Sequence, residues 1–490
     1  MNLLTASITE LHQAIKTKKV SALEVTKAHL QQIAKWNSKL NAYITLNEKA
    51  EEFARSVDQS VARGEALPVL SGIPVAIKDQ LCTRGLRTTA ASKILADFVP
   101  PYSATVVERL ERAGAVVLGK TNQDEFAMGS STETSAFGLA RNPWNLDYVP
   151  GGSSGGSAAV VAGGLATAAI GTDTGGSIRQ PSSFCGTVGI KPTYGRVSRY
   201  GIIAFASSLD QAGPMTRTVS DAALMLEAIS GADERDSTSA QVPVPQWSQK
   251  IDKNLKGVRI GVPKEYFAEQ LESETRKVVE RAISELKQAG AELVEVTLPL
   301  TEMAVPIYYL VATSEASSNL ARYDGVRYGH RADFSLLPPD DLAEFYCRNR
   351  GEGFGAEVKR RIILGTYALS SGYYDAYYKK ASQVRRLLRD QYLNIFNSCD
   401  VLIGPVTTSP AFKIGGKVTD PLEMYLNDIY TTSANLTGIP GISVPGGFSS
   451  SGLPIGVQFL AGYFQEQKLF NVASALEEIL ALKELPYVLR

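Results

Sequence analysis

Residues 103–119, SATVVERLERAGAVVLG, contain the pattern that decides the fold of this 490-residue chain. The first part predicts a helix, because Ser103 is a suitable N-cap and Gly114 a stop signal, and AVVLG then predicts a short buried strand. Residues 273–298, SETRKVVERAISELKQAGAELVEVTL, repeat the order of helix, Ala-Gly and strand. Repeated alternation of this kind favours an α/β fold in which helices cover a largely buried sheet.

Changes of pattern divide the rest of the chain. Residues 1–65 predict a helical segment packed on the core, since two stretches begin at a Thr or Ser cap and carry apolar residues at helical spacing. Residues 66–490 predict one large domain, with IPVAI at 73–77 as an early strand. Residues 231–250 are polar and contain two prolines. This stretch predicts a connection, either between two parts of the chain or across the surface of a single domain.

Composition and charge exclude several classes of protein. The 44% apolar and 20% charged residues are ordinary for a globular protein and exclude disordered and coiled-coil classes. Lys and Arg number 50 and Asp and Glu also 50, so the zero net charge argues against a broad nucleic-acid-binding surface. We see no apolar run long enough to span a bilayer and no secretory signal, and therefore expect a soluble cytoplasmic protein.

Histidine and cysteine are scarce in this chain. The histidines are His12, His29 and His330. A mechanism that needs a histidine base must use one of these three. The cysteines are Cys82, Cys185, Cys347 and Cys399. Because they are scattered, without a CxxC pair, they predict buried free thiols rather than a disulfide framework or a zinc site.

Residues 151–177, GGSSGGSAAVVAGGLATAAIGTDTGGS, hold nine glycines and four serines. Paired glycines permit positive φ and close backbone approach, and successive amides in such turns can converge on an anion. Three interpretations fit the pattern. The stretch is a tightly packed helix of small residues, a phosphate cradle, or a serine nucleophile beside an oxyanion hole. In the last case the amides of Thr174, Gly175 and Gly176 would face the oxyanion.

Lys78 is the candidate base for a serine nucleophile, since no histidine lies between His29 and His330. It ends the apolar segment GIPVAIKD, where desolvation would lower the pKa of its ammonium and make a neutral amine available. The competing interpretation is a lysine at a strand end whose ammonium reaches solvent. Ser–Lys catalysis is a known variant of the triad, so the nearby serine clusters favour the catalytic interpretation.

Two further motifs are interpreted as structural. GAVVLGKT at 114–121 matches the P-loop pattern, but a helix precedes Gly114 and AVVL is itself the strand. Nucleotide binding at Lys120 is therefore not expected. Asp124 and Glu125 are adjacent in sequence and point in different directions, which argues against a shared acid/base pair.

Three motifs in register resemble the amidase signature family: GIPVAIKD around Lys78, PGGSSGGSAAVVA around Ser153 and GTDTGGSIRQPSSFCGTVGIKPTYGRVSRYG around Ser177. The resemblance extends over essentially the whole chain. It implies a large mixed central β-sheet covered by helices on both faces. It also implies a Ser–Ser–Lys triad, with Ser177 as nucleophile, Ser153 as a bridging serine held by a cis peptide, and Lys78 as base.

Residues 315–329, 353–381 and 434–445 resemble the branch of this family in which glutamine donates ammonia to a tRNA-dependent amidotransferase more than they resemble stand-alone amidases. This resemblance implies that Arg361 binds the carboxylate of glutamine and Asp428 its ammonium, and that Tyr308, next to Tyr309, contacts the ligand. Two departures from the family pattern are minor: Gln80 stands where Asn is usual, and PSSFCG replaces a commoner Ala pair.

These roles imply a glutaminase that works through a seryl acyl-enzyme. Its ammonia would pass through a tunnel to a partner subunit that converts Glu-tRNA(Gln) to Gln-tRNA(Gln) with ATP. The resemblance implies a heterotrimer with two further subunits, tRNA held mainly by the partner, ATP and Mg²⁺ bound there, and no cofactor or metal in this chain. Two rival hypotheses are a stand-alone amidase acting on another small amide and a nucleotide-binding module that uses Lys120 or the Gly-Ser loops.

Overall fold

A mixed β-sheet forms the centre of the molecule. The computed structural model describes residues 1–416, 424 and 427–490, and these residues form an 11-stranded sheet. The strands are β1 (Tyr43–Leu46), β2 (Pro74–Lys78), β3 (Val116–Thr121), β4 (Ala168–Asp173), β5 (Val188–Lys191), β6 (Gln211–Thr216), β7 (Arg259–Pro263), β8 (Glu292–Val296), β9 (Val401–Pro405), β10 (Gly441–Phe448) and β11 (Pro454–Leu460). Their spatial order is β1-β3-β2-β4-β6-β5-β10-β11-β9-β7-β8. Strand β2 pairs in parallel with β3 and β4, whereas β6 and β10 pair antiparallel with their neighbours. The prediction of an α/β fold with a large mixed sheet is confirmed.

Helices connect most of the strands. The α-helices of the described residues are α1 (Ile8–Lys16), α2 (Ala22–Leu40), α3 (Ala50–Ala62), α4 (Thr105–Arg112), α5 (Gly155–Ala162), α6 (Arg179–Cys185), α7 (Val219–Ile229), α8 (Ser273–Gln288), α9 (Ala304–Leu320), α10 (Leu342–Gly353), α11 (Ala356–Leu369), α12 (Lys380–Ile395), α13 (Thr432–Thr437) and α14 (Glu466–Leu480). Short 3-10 turns lie at Lys93–Leu95, Glu125–Ala127, Ser248–Lys250, Lys264–Phe267, Pro299–Met303 and Tyr487–Leu489, and a π-helix at Asp375–Lys379. Within the part of the chain that the structure describes, no helix is both long and apolar enough to cross a bilayer.

The N-terminal segment contains α1, α2 and α3 and also a strand. Helices α1 and α2 begin at Ser7 and Ser21, and each serine forms a capping box with a glutamate three residues later. Leu11 and Val25, on the inner faces of these helices, are fully buried in the main core. The sequence predicts helices here but not β1, which pairs antiparallel with β3. Its four residues are too few to show a strand period beside the longer helical patterns.

Both copies of the helix–strand pattern adopt the predicted order. Helix α4 leads into β3 and α8 into β8, and the glycines that follow the helices, Gly114 and Gly290, have φ of +89° and +106°. Glycine is required at 114 because a Cβ there would also lie 2.8 Å from the Cα of Ser71. The glycine signals in the sequence therefore mark real changes of chain direction.

Residues 231–250 connect α7 to β7. The strands on either side of the connection, β6 and β7, belong to the same sheet. Val75 on β2 and Val457 on β11 belong to one contiguous apolar cluster, so the core continues across the region between the two halves of the sequence. The connection is itself anchored, because Trp247 is buried with its ring 6.0 Å from that of Phe470.

Candidate active site

Lys78 is the last residue of β2, a strand whose five residues are all buried. Strand β2 lies between β3 and β4, and the Lys78 side chain is fully buried. Its Nζ lies 2.7 Å from Ser153 Oγ and 2.8 Å from Thr172 Oγ1. The structure therefore places the predicted base in contact with the predicted bridging serine.

Burial changes the acid–base chemistry of Lys78. Loss of hydration disfavours the ammonium and lowers the pKa from its ordinary value of 10.5 to about 7, although the carboxylates of Asp124, Asp173 and Asp210 favour the charged form. Near neutral pH a large share of Lys78 is therefore the free amine, which can accept a proton. The competing interpretation, an ammonium that reaches solvent at a strand end, is wrong.

Ser153 lies in the glycine turn that precedes α5. The Gly152–Ser153 peptide bond is cis, and the Ser153 side chain is fully buried. Only glycine fits at 152, because a Cβ there would lie 2.1 Å from Asp124 Oδ2. Helix α5 consists of buried small residues, so the packed-helix interpretation of this stretch is correct for the helix itself.

Ser177 lies on the turn between β4 and α6. The Asp173 carboxylate accepts hydrogen bonds from the amides of Gly176 and Ile178, at 2.8 and 3.2 Å, and so holds the turn. The Ser154 amide donates to the Ser177 carbonyl at 3.1 Å, which joins this turn to the preceding one. Ser177 is 8% exposed, and its hydroxyl has no hydrogen-bond partner within the described part of the chain. This hydroxyl is therefore available to a ligand.

Arg179 fixes the Asp173 carboxylate. Its guanidinium forms two bonds to Asp173, both 3.0 Å long, and also donates to Gln458 Oε1 and Asn435 Oδ1, each at 2.7 Å. Burial alone would raise the pKa of Asp173, but the charge and hydrogen bonds of Arg179 lower it to about 2. Both side chains are fully buried, so this is an internal brace for the nucleophile turn and not a surface ion pair.

The amides predicted to face an oxyanion are those of Thr174, Gly175 and Gly176. The Gly176 amide is used within the turn, whereas those of Thr174 and Gly175 have no acceptor among the residues described. The Thr174 hydroxyl donates to Asp210 Oδ1 at 2.7 Å, and the Gly175 carbonyl accepts from Thr431 Oγ1 at 2.7 Å. The turn therefore leaves the Thr174 and Gly175 amides, but not the Gly176 amide, open to a ligand.

Tyr308 on α9 packs against the nucleophile turn. A Cβ at Gly175 would lie 2.7 Å from the Cζ of Tyr308. The ring of Tyr309 lies 5.1 Å from that of Tyr308 and 5.3 Å from the guanidinium of Arg361. Arg361 on α11 is 3% exposed and its Nε forms an ion pair with Glu357 Oε1 at 2.8 Å. The structure thus brings Tyr308 to the turn and Tyr309 to Arg361.

Asp428 is the second charged residue predicted to bind the ligand. It is buried, and its Oδ2 accepts a hydrogen bond from Ser130 Oγ at 2.5 Å. Burial raises the pKa of Asp428 to about 7, against the Ser130 hydrogen bond and the charge of Arg361, which lower it. The charges of Arg361 and Asp428 both act on the Tyr308 hydroxyl. The three predicted ligand-binding residues therefore lie near one another.

The sequence of this chain is similar to those of known proteins over almost its whole length. The family described as Amidase matches residues 24–470. The chain belongs to the amidase signature family. The glutamyl-tRNA(Gln) amidotransferase subunit designated A from Bdellovibrio bacteriovorus is 61% identical over 477 residues, which cover 97% of each protein. The subunit of the same name from Koribacter versatilis is 57% identical over 482 residues, which cover 98% of this chain and 99% of that protein.

Solved structures of amidase signature proteins have the same fold. The crystal structure of the same glutamyl-tRNA(Gln) amidotransferase subunit from Thermotoga maritima matches with a TM-score of 0.81 at 40% identity, covering 100% of this chain and 99% of that one. The native peptide amidase from Stenotrophomonas maltophilia matches with a TM-score of 0.84 at 32% identity, covering 99% and 98%.

In this amidase-family chain the P-loop-like motif is structural. Residues 116–121 of that motif form β3, and Lys120 is fully buried. Its Nζ donates to the Leu81 carbonyl and, at 2.8 Å, to Thr88 Oγ1, and Asp79 Oδ1 lies 3.9 Å away. A P-loop presents its lysine to phosphate from an open loop. The hypothesis of nucleotide binding at Lys120 is therefore wrong.

Asp124 and Glu125 do not form an acid/base pair. Asp124 Oδ2 accepts from the Thr132 amide at 2.9 Å, whereas Glu125 Oε2 accepts from the Gly355 amide at 2.9 Å. The two carboxylates bind different segments of the chain, and the structural interpretation of both is confirmed.

His29 and His330 have partners outside the site. His29 is buried, with its ring nitrogens 2.9 Å from the Gly164 carbonyl and 3.1 Å from Thr167 Oγ1, and burial lowers its pKa to about 3. His330 pairs with Glu352 at 3.0 Å.

The prediction of buried thiols holds for three cysteines but is wrong for Cys347, which is exposed. In the ranges that the structure describes, no group of three or more His, Cys, Asp or Glu side chains is placed to hold a metal ion.

Sequence reasoning does not identify Thr172 or Ser130. Each forms a hydrogen bond with a predicted site residue: Thr172 with Lys78, and Ser130 with Asp428. Thr172 is 94 residues from Lys78, and their contact arises because β2 and β4 are parallel neighbours. A prediction that β2 pairs with β4 would have revealed this contact, because Lys78 and Thr172 lie near the carboxyl ends of these two strands.

Proposed function

We propose that this chain is the glutamine-hydrolysing subunit of a tRNA-dependent amidotransferase. It converts glutamine and water to glutamate and ammonia, and a partner subunit uses the ammonia to convert Glu-tRNA(Gln) to Gln-tRNA(Gln) in an ATP-dependent reaction. The relatives named as glutamyl-tRNA(Gln) amidotransferase subunits support this assignment. The observation that carries the chemistry is the buried 2.7 Å hydrogen bond between Lys78 and Ser153, beside the turn that bears Ser177.

Ser177 is the proposed nucleophile. In the complex with glutamine the Ser177 hydroxyl, which has no hydrogen-bond partner among the described residues of the free chain, would donate to Ser153 Oγ. As Ser177 Oγ attacks the side-chain amide carbon of glutamine, its proton passes to Ser153 Oγ and the Ser153 proton passes to Nζ of neutral Lys78. The pKa of Lys78, about 7, suits a base that works near neutral pH. The amides of Thr174 and Gly175 stabilise the negative charge that develops on the amide oxygen.

Breakdown of the tetrahedral intermediate reverses this relay. The Lys78 ammonium returns a proton through Ser153 to the amide nitrogen, the C–N bond breaks, and ammonia leaves. The glutamyl group remains as an ester on Ser177. Water then attacks the ester with the same relay as base, which releases glutamate and restores the Ser177 hydroxyl.

Arg361, Asp428 and Tyr308 are the proposed glutamine-binding residues. The α-carboxylate of glutamine pairs with Arg361, its α-ammonium pairs with Asp428, and Tyr308 lines the space beside the nucleophile turn. Both charged residues are at least nine-tenths buried. A buried pair of opposite charges favours an amino acid over a neutral amide, which would use neither charge.

The proposed assembly is a cytoplasmic heterotrimer with two further subunits. ATP and Mg²⁺ are assigned to the partner that activates the tRNA-bound glutamate, and ammonia reaches it through a protein tunnel. The zero net charge of this chain fits an assembly in which the partner holds most of the tRNA.

Covalent trapping at Ser177 tests the proposal. An electrophilic glutamine analogue should modify the full chain at Ser177, as located by peptide mass spectrometry. Ser177→Ala should abolish labelling and glutamine hydrolysis, whereas Ser450→Ala, at an exposed loop serine, should change neither. Labelling of another residue would refute the nucleophile assignment. Hydrolysis of neutral primary amides as fast as glutamine would instead support a stand-alone amidase.

A further inference from the structure

Gln80, two residues after β2, forms hydrogen bonds through both ends of its amide. The side chain is fully buried, its Nε2 donates to the Ile203 carbonyl at 2.5 Å, and its Oε1 accepts from Thr172 Oγ1 at 2.9 Å. The Ile203 carbonyl can only accept, so the amide nitrogen must face it. The orientation of the Gln80 amide is therefore determined, and its oxygen faces Thr172.

The Thr172 hydroxyl has one proton, which it donates in a hydrogen bond to Gln80 Oε1. Toward Lys78, 2.8 Å away, this hydroxyl consequently presents a lone pair and can only accept. The Thr172 carbonyl, 3.4 Å from Lys78 Nζ, is also only an acceptor. Thr172 thus offers Lys78 two acceptors and no donor.

Lys78 in its neutral form has two N–H groups and one lone pair. Among the residues described, its three hydrogen-bond neighbours are the two Thr172 oxygens and Ser153 Oγ. The two N–H groups match the two Thr172 acceptors, which leaves the lone pair for the Ser153 hydroxyl. Protonation of Lys78 then requires only that the Ser153 proton cross a 2.7 Å hydrogen bond, without movement of heavy atoms.

We propose that Gln80 is a positioning residue that keeps the lone pair of Lys78 directed at Ser153, by holding the Thr172 proton away from the amine. Without the Gln80 oxygen, the Thr172 hydroxyl would turn and donate to Lys78. The lone pair would then be occupied, and the relay from Ser153 would be blocked. The proposal rests on the role of Lys78 as base in the proposed function, but not on the identity of the amide substrate.

Replacement of Gln80 by Met tests this mechanism through the pH dependence of the rate. The variant adds an unproductive form of neutral Lys78, which competes with the productive form only where the amine is neutral. Its kcat should therefore equal that of the wild-type chain well below the midpoint of the pH profile. Well above the midpoint it should be about tenfold lower, the worth of one hydrogen bond. The midpoint should also fall by about one pH unit.

The charged groups that face Lys78 remain in place in this variant. They are Asp124 from the segment after β3, Asp173 from the end of β4 and Asp210 from the segment before β6. A difference between the two pH profiles consequently reports the change at Gln80.

A double-mutant cycle identifies Thr172 as the intermediary. In a Thr172→Val background Gln80→Met should cost nothing further, because no hydroxyl remains to turn. In a Thr172→Ser background it should again cost about tenfold at high pH. Gln32→Met is the matched control, because Gln32 is a buried glutamine that binds the Gly163 carbonyl, away from the site, and this variant should leave the profile unchanged.

The proposal would be overturned if Gln80→Met lowered kcat by the same factor at every pH, or if it lowered kcat by the full tenfold in the Thr172→Val background. Gln80→Leu provides the same rate ratio if the Met variant does not fold. The rate at which a fluorophosphonate labels Ser177 should show the same pH signature and needs no glutamine. A wild-type chain that fails to hydrolyse glutamine but shows this signature would refute the proposed substrate and leave the role of Gln80 standing.

Discussion

The pH dependence of glutamine hydrolysis is the sharpest test of Lys78. The proposed base acts only as the free amine, so kcat should rise with pH through a midpoint near the pKa of Lys78, about 7, and then level off. With that midpoint about 9% of Lys78 is neutral at pH 6 and about 91% at pH 8, so kcat should increase about tenfold over this interval.

The size of the pKa change follows from the burial of Lys78. The change from the ordinary value of 10.5 to about 7 corresponds to about 5 kcal/mol in favour of the neutral amine. Desolvation has to exceed the attraction of three carboxylates to produce it. If the ammonium reached solvent, this preference would disappear and the midpoint would lie near 10.

The assay is steady-state release of ammonia at saturating glutamine between pH 5.5 and 9. Saturation is needed because the pKa of Asp428 is also raised to about 7 by burial, and its ionisation would affect substrate binding in kcat/KM. In kcat the bound substrate removes that contribution. The rising limb then reports Lys78.

Two variants of buried lysines control the interpretation. Lys78→Arg retains a positive charge that does not titrate in this range and should lower kcat by about 10⁴-fold at every pH. Burial also lowers the pKa of Lys191 to about 7, but its Nζ donates to the Pro192 carbonyl at 2.9 Å. Lys191→Met should keep the midpoint, which does not depend on how much protein is folded. A flat profile from pH 6 to 8, an active Lys78→Arg enzyme, or loss of the limb in Lys191→Met would refute the reasoning.

Two further changes test the ligand-binding residues and the brace of the turn. Arg361→Ala should raise the KM for glutamine by about 10- to 100-fold with little change in kcat, the loss of one charge-assisted hydrogen bond, whereas the exposed neighbour Arg360→Ala should leave KM unchanged. Arg179→Met should lower the free energy of unfolding in urea by about 3–5 kcal/mol, because it strands the buried Asp173 carboxylate. Adding Asp173→Asn should recover part of that loss, and no recovery would mean that the stranded charge is not its cause.

Much of the fold could be predicted from local signals in the sequence. The order of helix, glycine and strand at α4–β3 and α8–β8 follows from the period of apolar residues and from glycines at positive φ. The short strand β1 could not be found in this way. Four residues carry little periodic signal, and their strand conformation depends on pairing with β3, more than 70 residues away.

The site residues that lie in recognisable sequence motifs could be predicted. The residues that matter only through contacts in the folded chain could not. Lys78, Ser153 and Ser177 lie in motifs with a chemical rationale of their own. Thr172 and Ser130 are ordinary hydroxyl residues in sequence, and they gain importance only through the strand or loop that brings them to Lys78 and Asp428. The Gly176 amide shows the converse. Its residue type and position suit an oxyanion donor, but Asp173 already binds it.

A lowered pKa is not enough to identify the base in this chain. Lys78, Lys120 and Lys191 are all fully or almost fully buried, and burial lowers the pKa of each to between about 7 and about 8. Lys191 donates to a backbone carbonyl, which cannot give up a proton, whereas Lys120 donates to the Leu81 carbonyl and to the Thr88 hydroxyl and lies 3.9 Å from the Asp79 carboxylate. Among the residues that the structure describes, Lys78 is the one of the three lysines whose amine contacts a serine hydroxyl, and in the proposed arrangement Gln80 and Thr172 direct its lone pair toward that hydroxyl. The partners of the amine, more than its pKa, therefore distinguish a base from a structural lysine.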